Sequence, residues 1–312
     1  MPQFTHSLKS ELSFYGFGPV NLITGAVIYE GVDFCISGIV PLEWKRIWYS
    51  DSSYIGMLGH GVHTLFDSHL ITFEEENCIG LVLEDGRVCG FEFLYNDEEY
   101  YNREERLTLR KSNEEFRLFD HNKKLYYIYK SVFGAKNNYY HLVKIENETG
   151  LSIKLDIINN SLQKITDPAG RTVRADTDTN GRVTSLSLVT DKGEERLVSY
   201  TYDEVGNMTS ITDALGQTTH IRYTAHLMTE KTDRNGNIYR WEYDSKGRCV
   251  HTYGTDGMLE GRIEYHPTEG YNLVTDSTGG TTTYRYTPDQ LVTSEIDPLG
   301  NETRHSYTDF ME

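Results

Sequence analysis

A tyrosine returns every 20 to 22 residues through the second half of this chain, at Tyr202, Tyr223, Tyr243, Tyr265, Tyr286 and Tyr307. A fixed short period means that one small unit is stacked repeatedly, each copy burying its apolar face only against its neighbours. A second marker, Asp-x-x-Gly, stands at Asp213–Gly216, Asp233–Gly236, Asp276–Gly279 and Asp297–Gly300, and directly after the tyrosine at Asp203–Gly206 and Asp244–Gly247. Asp starts a turn by bonding its own backbone two residues on, and Gly206, Gly216, Gly236, Gly247, Gly279 and Gly300 supply the positive φ that closes it. The chain therefore turns about every ten residues.

Between turns the residues alternate, as in Thr218-Thr219-His220-Ile221-Arg222-Tyr223, which is strand periodicity. Two residues before the marker tyrosines stand Tyr200, Ile221, Trp241, Ile263, Tyr284 and His305, which share a strand face with them. A unit of about 21 residues thus reads as two short strands and two turns. One such hairpin is not stable alone, so neighbours must stack and the tyrosines form a ladder across strands. Packing is the expected use of that ladder; a row of sugar-stacking platforms is the rival use.

Composition agrees with an all-β chain: 23 Tyr and 27 Gly with only 7 Pro, and no long stretch of helical amphipathicity. The net charge of −17 argues against nucleic-acid partners and against anionic membrane surfaces. Its plain use is solubility; an acidic inner wall holding a basic cargo is a sharper expectation. The start, Met1-Pro2-Gln3-Phe4-Thr5-His6, lacks the pattern of a signal peptide, and no run is long enough to span a bilayer. Cys35, Cys78, Cys89 and Cys249 form no Cys-x-x-Cys pair. A two-residue turn at Asp85-Gly86 would set 82 opposite 89 and 78 opposite 93, leaving Cys78 and Cys89 out of register. Reduced cysteines and synthesis in the cytosol follow, with any export independent of a signal peptide.

Residues 1–17 read as an opening segment. From 18 to 148 come irregular strands, with candidates at 26–29, 43–49, 79–83, 88–94, 106–109, 116–119, 125–129 and 139–145. The run Asp97-Glu98-Glu99 and Glu104-Glu105 reads as a solvated face. Weak units begin near 149, at Asp167–Gly170 and Asp178–Gly181, and full repeats from Tyr200. Two domains are expected, 1–148 and 149–312, with the sheet continuing from one into the other.

The candidate chemistry is sparse. His60 and His63 come first as a metal or base site, but residues three apart on a strand point to opposite faces. His220, His226, His251, His266 and His305 are scattered, and no Ser, His and Asp set accompanies a nucleophile elbow. Gly279-Gly280 precedes a strand, so it makes no phosphate cradle. Most carboxylates are already explained as turn formers. No catalytic, cofactor or metal residue is assigned, and no cofactor is expected.

Tyr200-Thr201-Tyr202-Asp203-Glu204-Val205-Gly206-Asn207, Ile211-Thr212-Asp213-Ala214-Leu215-Gly216 and Tyr243-Asp244-Ser245-Lys246-Gly247-Arg248 resemble the YD repeats of the Rhs family. The first half is similar too: Pro19-Val20-Asn21-Leu22-Ile23-Thr24-Gly25, Phe34 and Pro41-Leu42-Glu43-Trp44 resemble the segment that opens an Rhs shell. Gly59-His60-Gly61-Val62-His63 resembles its Gly-x-Gly-Trp-x-His element with Val62 in place of Trp, and Gly18 stands where Asp is usual. The resemblance implies a curved, coiling antiparallel β-sheet of YD-repeat hairpins that builds a partial cocoon or shell. It implies containment or delivery of a toxin, as in type VI secretion effectors, insecticidal toxin complexes and the related teneurins, with no catalysis by the shell itself. The family's self-cleaving aspartyl element has no match here, and Phe310-Met311-Glu312 falls within a repeat.

Implied partners are a toxin domain or the rest of the shell, a second copy through exposed sheet edges, and secretion-spike or chaperone proteins. The alternatives are a carbohydrate- or cell-surface-binding module and, more remotely, a carboxylate-dependent hydrolase. About a dozen strands at ~4.8 Å spacing would span roughly 55–60 Å, too little to close a cocoon. An open concave face and an unpaired edge are therefore expected, and with them dimerisation or docking.

Overall fold

A computed structural model describes residues 12–307. The first eleven residues of the opening segment, and the Phe310-Met311-Glu312 end, lie outside the described residues. The alternating segments form strands throughout, and 23 of them belong to one antiparallel sheet that is not closed. Its longest path of paired strands, from Glu99–Asn102 to Glu302–Arg304, runs through 20 strands and extends about 90 Å at ~4.8 Å per strand. The dozen strands expected from the sequence are too few: the strands from Ser152–Ile158 to Glu302–Arg304 alone number 15, and eight from His69–Phe73 to Tyr139–Asn147 join the same sheet.

The sheet has two parts joined at one strand. From Tyr139–Asn147 to Glu302–Arg304 each strand pairs with the next in sequence. Before that, the strands from His69–Phe73 to Leu125–Lys130 curl back, so that Tyr139–Asn147 also pairs with His69–Phe73. Tyr139–Asn147 serves both because its ends are used differently: 139–141 meet 71–69, while 144–146 meet 154–152. Inside the curl, Val88–Glu92 pairs with Cys78–Val82 and Glu99–Asn102 with Leu107–Ser112. Between those two outer edges the side chain of Asn102 reaches Gly90 O at 3.4 Å.

The first sequence strand is displaced: Ile28–Ile36 replaces the segment expected at 26–29, and it pairs with Leu42–Tyr49 in a separate three-stranded sheet completed by Val62–His63. The hairpin register is corrected by one residue. Leu83 N–H bonds Arg87 O and Gly86 N–H bonds Leu83 O, with Gly86 at φ 82°, so three residues turn the chain. Cys78 then lies opposite Glu92 and Cys89 opposite Leu81.

The Asp-x-x-Gly turns share one geometry. At Asp203, for example, the backbone N–H bonds Asn207 O, Gly206 N–H bonds Asp203 O, and Oδ1 accepts from the N–H groups of Val205 and Asn207. The same pattern holds at Asp167, Asp178, Asp213, Asp233, Asp244, Asp276 and Asp297. It also holds at Asn147, where the amide oxygen replaces the carboxylate.

The expected open face is not open along the repeats. The core runs from Val20, Leu22, Leu42, Trp44 and Trp48 of the N-terminal segment into Leu186, Val198, Ile211, Ile221, Trp241 and Ile263 of the sheet. The N-terminal segment lies on the face that carries the tyrosines. A one-sided sheet of hairpins leaves an apolar stripe on its inner face, and the apolar residues of 14–66 cover it.

Candidate functional site

Each marker tyrosine points to the inner face with the residue two before it. Tyr200, Ile221, Trp241 and Ile263 are buried, while the intervening Thr201, Arg222, Glu242 and Glu264 are exposed. A one-residue register shift sits beside Tyr202, Tyr223, Tyr243 and Tyr286, which sets them opposite Met208, Met228, Cys249 and Val292. Those four partners are buried.

The next tyrosine along then caps that pair. Tyr243 OH donates to Met228 O at 2.7 Å, Tyr265 OH to Cys249 O, Tyr286 OH to Asn272 Oδ1 at 3.0 Å, and Tyr307 OH to Val292 O at 2.8 Å. Tyr202 OH donates to Val183 O at 2.6 Å. The tyrosine is thus a staple between consecutive units. Tyr223 is different: its ring meets the edge of Trp48 at 5.9 Å. Burial holds these phenols above their ordinary pKa, and it pushes the Cys249 thiol up to about 12.

Beneath the ladder lies the seam with the N-terminal segment. Cys249 N–H bonds Gly25 O, His60 N–H bonds Gly206 O, and Val183 N–H bonds Met57 O, at 2.8–2.9 Å. Asn272 Nδ2 donates to both Leu22 O and Ile23 O, and Phe14 packs edge-on against Tyr284 and His305. One segment therefore touches repeats from Val183 to His305.

Its polar centre is a buried ion pair. Arg46 Nε donates to Asp33 Oδ2 at 3.0 Å, with both side chains at most 7% exposed. Tyr200 OH donates to the same oxygen at 2.5 Å, and Trp44 Nε1 donates to Tyr200 OH at 2.9 Å. The Arg46 guanidinium and Lys231 Nζ both lie over the Tyr29 ring, at 4.8 and 4.6 Å. Burial alone would lower the Arg46 pKa; Asp33 more than offsets it and holds the guanidinium charged. Burial lowers the Lys231 pKa, opposed by Asp233.

His60 and His63 diverge. The His60 ring stacks on His226 at 3.6 Å, and burial with that neighbour lowers its pKa. His63 accepts or donates a 2.9 Å bond with Ser52 Oγ, and burial lowers its pKa to about 4. Among the described residues no group of three or more His, Cys, Asp or Glu side chains is placed to hold a metal. His251 bridges Glu242 and Glu260, at 3.2 and 2.8 Å.

Three adjoining clefts of about 710, 660 and 570 Å³ meet at Asp85. Four of their carboxylates are paired, Glu30 with Lys45 at 2.8 Å, Glu84 with Lys123 at 2.8 Å, and Asp85 and Glu105 with Arg87 at 2.7 and 2.6 Å, while burial raises the pKa of Asp51 in the second cleft. A carboxylate pair working on a glycosidic bond needs one acid kept neutral and one base kept free, and cation pairing works against both roles at the four paired carboxylates.

The sequence singled out the tyrosines and glycines but missed Asp33, Arg46, Lys231 and Asn272. One signal was available: Leu42, Trp44 and Trp48 alternate inward, which places Arg46 inward with them.

The family model described as Teneurin YD-shell matches residues 113–298, and one described as a domain of unknown function, DUF6531, matches residues 17–91. The chain is 27% identical over 305 residues to the probable deoxyribonuclease RhsB of Dickeya dadantii (strain 3937), covering 93% of this chain and 20% of that protein. It is 24% identical over 249 residues to the double-stranded DNA deaminase toxin A of Burkholderia cenocepacia (strain H111), covering 77% of this chain and 17% of that protein. The chain thus spans about a fifth of the length of these relatives. Among solved structures it is similar to TcdB2-TccC3 without its hypervariable C-terminal region, at 12% identity and a TM-score of 0.38, covering 74% of this chain and 16% of that one.

Proposed function

The chain belongs to the Teneurin YD-shell family, and from that premise we propose that it is the opening part of a shell that encloses or helps deliver a toxin between bacteria. Its own residues build wall and seam. Two structural regions are proposed for it, 1–148 and 149–312, sharing one sheet. The observation that carries the reading is the continuous seam: one N-terminal segment lines the sheet from Val183 to His305 and leaves the repeats no role but packing there. The catalytic activities named for the relatives belong to proteins about five times as long, so they are assigned here to parts those proteins carry in addition.

The ladder is a poor glycan platform. Tyr223 and Tyr243 pack against the core, and a phenol bonded to Met228 O offers no open ring face. The same geometry gives the sheet its proposed partners. The last described strand, Glu302–Arg304, pairs with Val292–Ile296 and presents its other edge, where further shell or a second copy would add. Export by a type VI-like route, with spike or chaperone proteins, is part of this proposal.

Cross-linking mass spectrometry on a tagged chain in the producing cell tests it. Cross-links from residues near 302–304 to further YD-repeat strands, with a toxin recovered in the same complex, are expected. Capture of surface glycans or adhesion partners alone would overturn it, and a clean monomer by light scattering would overturn the edge-docking part.

A further inference from the structure

Six rings form a second ladder, unrelated to the tyrosine repeat. They run Tyr49, His63, Tyr54, His69, Tyr139, His141, with successive centroids at 5.8, 4.8, 5.9, 4.5 and 4.6 Å. The row starts in the N-terminal sheet and ends where His69–Phe73 meets Tyr139–Asn147; there His69 lies directly opposite His141. His63, His69 and His141 are all buried. We propose that this Tyr/His ladder is an acid-sensitive latch: mild acid opens the junction of strands 69–73 and 139–147, and frees the N-terminal segment there, before the tyrosine repeats yield.

Burial inside the stack of rings holds the three imidazoles neutral, and the bonds that His69 and His141 make oppose it without reversing it. His69 Nδ1 donates to Asp67 O at 2.8 Å, and His141 Nε2 bonds Asn160 Oδ1 at 3.0 Å. His63 bonds Ser52 Oγ, lies between the Tyr54 ring and Gly86, and has the edge of Tyr49 against it. A Cβ on Gly86 would come within 2.6 Å of the His63 ring, so the backbone closes that side.

The charged groups nearby are already committed. Asp67 Oδ2 accepts Met57 N–H at 2.8 Å, and the hydroxyl of Tyr54 leans on the same carboxylate. Asp85 is paired with Arg87. Lys136, Arg182 and Glu204 line the adjoining cleft of about 550 Å³, which brings water to Tyr54, Tyr139 and His141. Three new positive charges would therefore meet one another and the cations Arg87, Lys136 and Arg182, with the carboxylates Asp67, Asp85 and Glu204 only partly offsetting them. Burial lowers the pKa of all three histidines and outweighs Asp67, which raises it for each, and Asp85, which raises it for His63; His69 lowers it further for both His63 and His141.

The sign follows from linkage. A histidine whose folded pKa lies below its unfolded value stabilises fully above the unfolded pKa, and that stability is lost as pH falls toward the folded one. For His63 the window runs from 6.5 down to about 4. Between about pH 7.5 and about pH 5, His63 alone raises the opening constant roughly 30-fold.

Hydrogen exchange on the unmodified chain, corrected for the intrinsic pH dependence of exchange, reads this directly. Protection at 69–71 and 139–141 should fall about 30-fold or more between those pH values, while 281–286 and 292–296 hold. The single variants His63→Gln, His69→Gln and His141→Gln should each shrink the step, and the triple variant should abolish it. Unchanged protection at 69–71 in the unmodified protein overturns the latch. So does a full step that survives in any one folded variant set lacking His63 and His69.

Discussion

Asp33→Ala is the substitution that tests the seam most sharply. It leaves the Arg46 guanidinium buried without its partner and removes the acceptor of Tyr200 OH. Breaking a buried ion pair on one side costs about 3–5 kcal/mol, because the remaining charge has lost its compensation. The shared hydrogen bond to Tyr200 places the expected loss near the upper half of that range, about 4 kcal/mol. Replacing both partners, as Asp33→Ala with Arg46→Met, removes the stranded charge, and it should recover at least half of the loss. A stack of repeats need not unfold in one step, so a local probe is required. The chain has three tryptophans, and Trp44, Trp48 and Trp241 are all buried in this seam. Urea titration followed by tryptophan fluorescence therefore reports opening of the seam itself. A loss below about 1 kcal/mol for the single variant would refute the reasoning, since that is the range of an exposed pair. A double variant no more stable than the single one would refute it too.

Tyr243→Phe deletes the staple to Met228 O and should cost about 1 kcal/mol in the same titration. Gly59→Ala should cost distinctly more than Gly216→Ala. Both sit at positive φ, worth about 1–2 kcal/mol for a residue with a Cβ, but at Gly59 the Cβ also meets Gly206 O at 2.4 Å, and at Gly216 it meets nothing. Leu215→Ser, at a turn tip 84% exposed, should change stability by less than about 0.5 kcal/mol. Arg234 holds the Asp213 carboxyl below its ordinary 3.8, and Asn301 does the same for Asp297. Carboxyls with depressed pKa stabilise fully above their unfolded value and lose that contribution as pH falls through the folded one. Circular dichroism on acid titration should therefore show the repeats giving way below about pH 4, after the His63 window has passed.

The repeat was legible because its signals are local. Asp and Gly three residues apart fix a turn whichever strand lies next door, and alternation fixes which face Tyr202 or Tyr243 takes. Asn147 escaped only because an amide took the carboxylate's place in the same turn. The hairpin at Asp85-Gly86 was placed correctly but misregistered by one residue, because two- and three-residue turns share the same Asp-Gly signal. The strand at Ile28–Ile36 was cut short, since Glu30, Gly31 and Asp33 break the apolar pattern. Asp33 is a seam residue, and a buried pair made across a large sequence distance leaves no local period to read.

That distance also sets how the two halves depend on each other. Asn272 bonds Leu22 O across 250 residues, and Tyr200 bonds Asp33 across 167. Each hairpin can form from neighbours alone, but its apolar face stays wet until the N-terminal segment lies on it. Contacts this non-local are slow to form when both ends must search for each other. Here one end is made first. Residues 14–66 leave the ribosome before any full repeat, so each new hairpin meets a template already carrying Trp44, Trp48 and Arg46. The buried ion pair gives that docking a register: a slip of one residue on Leu42–Tyr49 turns Arg46 outward and strands Asp33 beneath Tyr200. The periodic tyrosines make every unit equivalent, and the aperiodic seam is what tells one unit from the next.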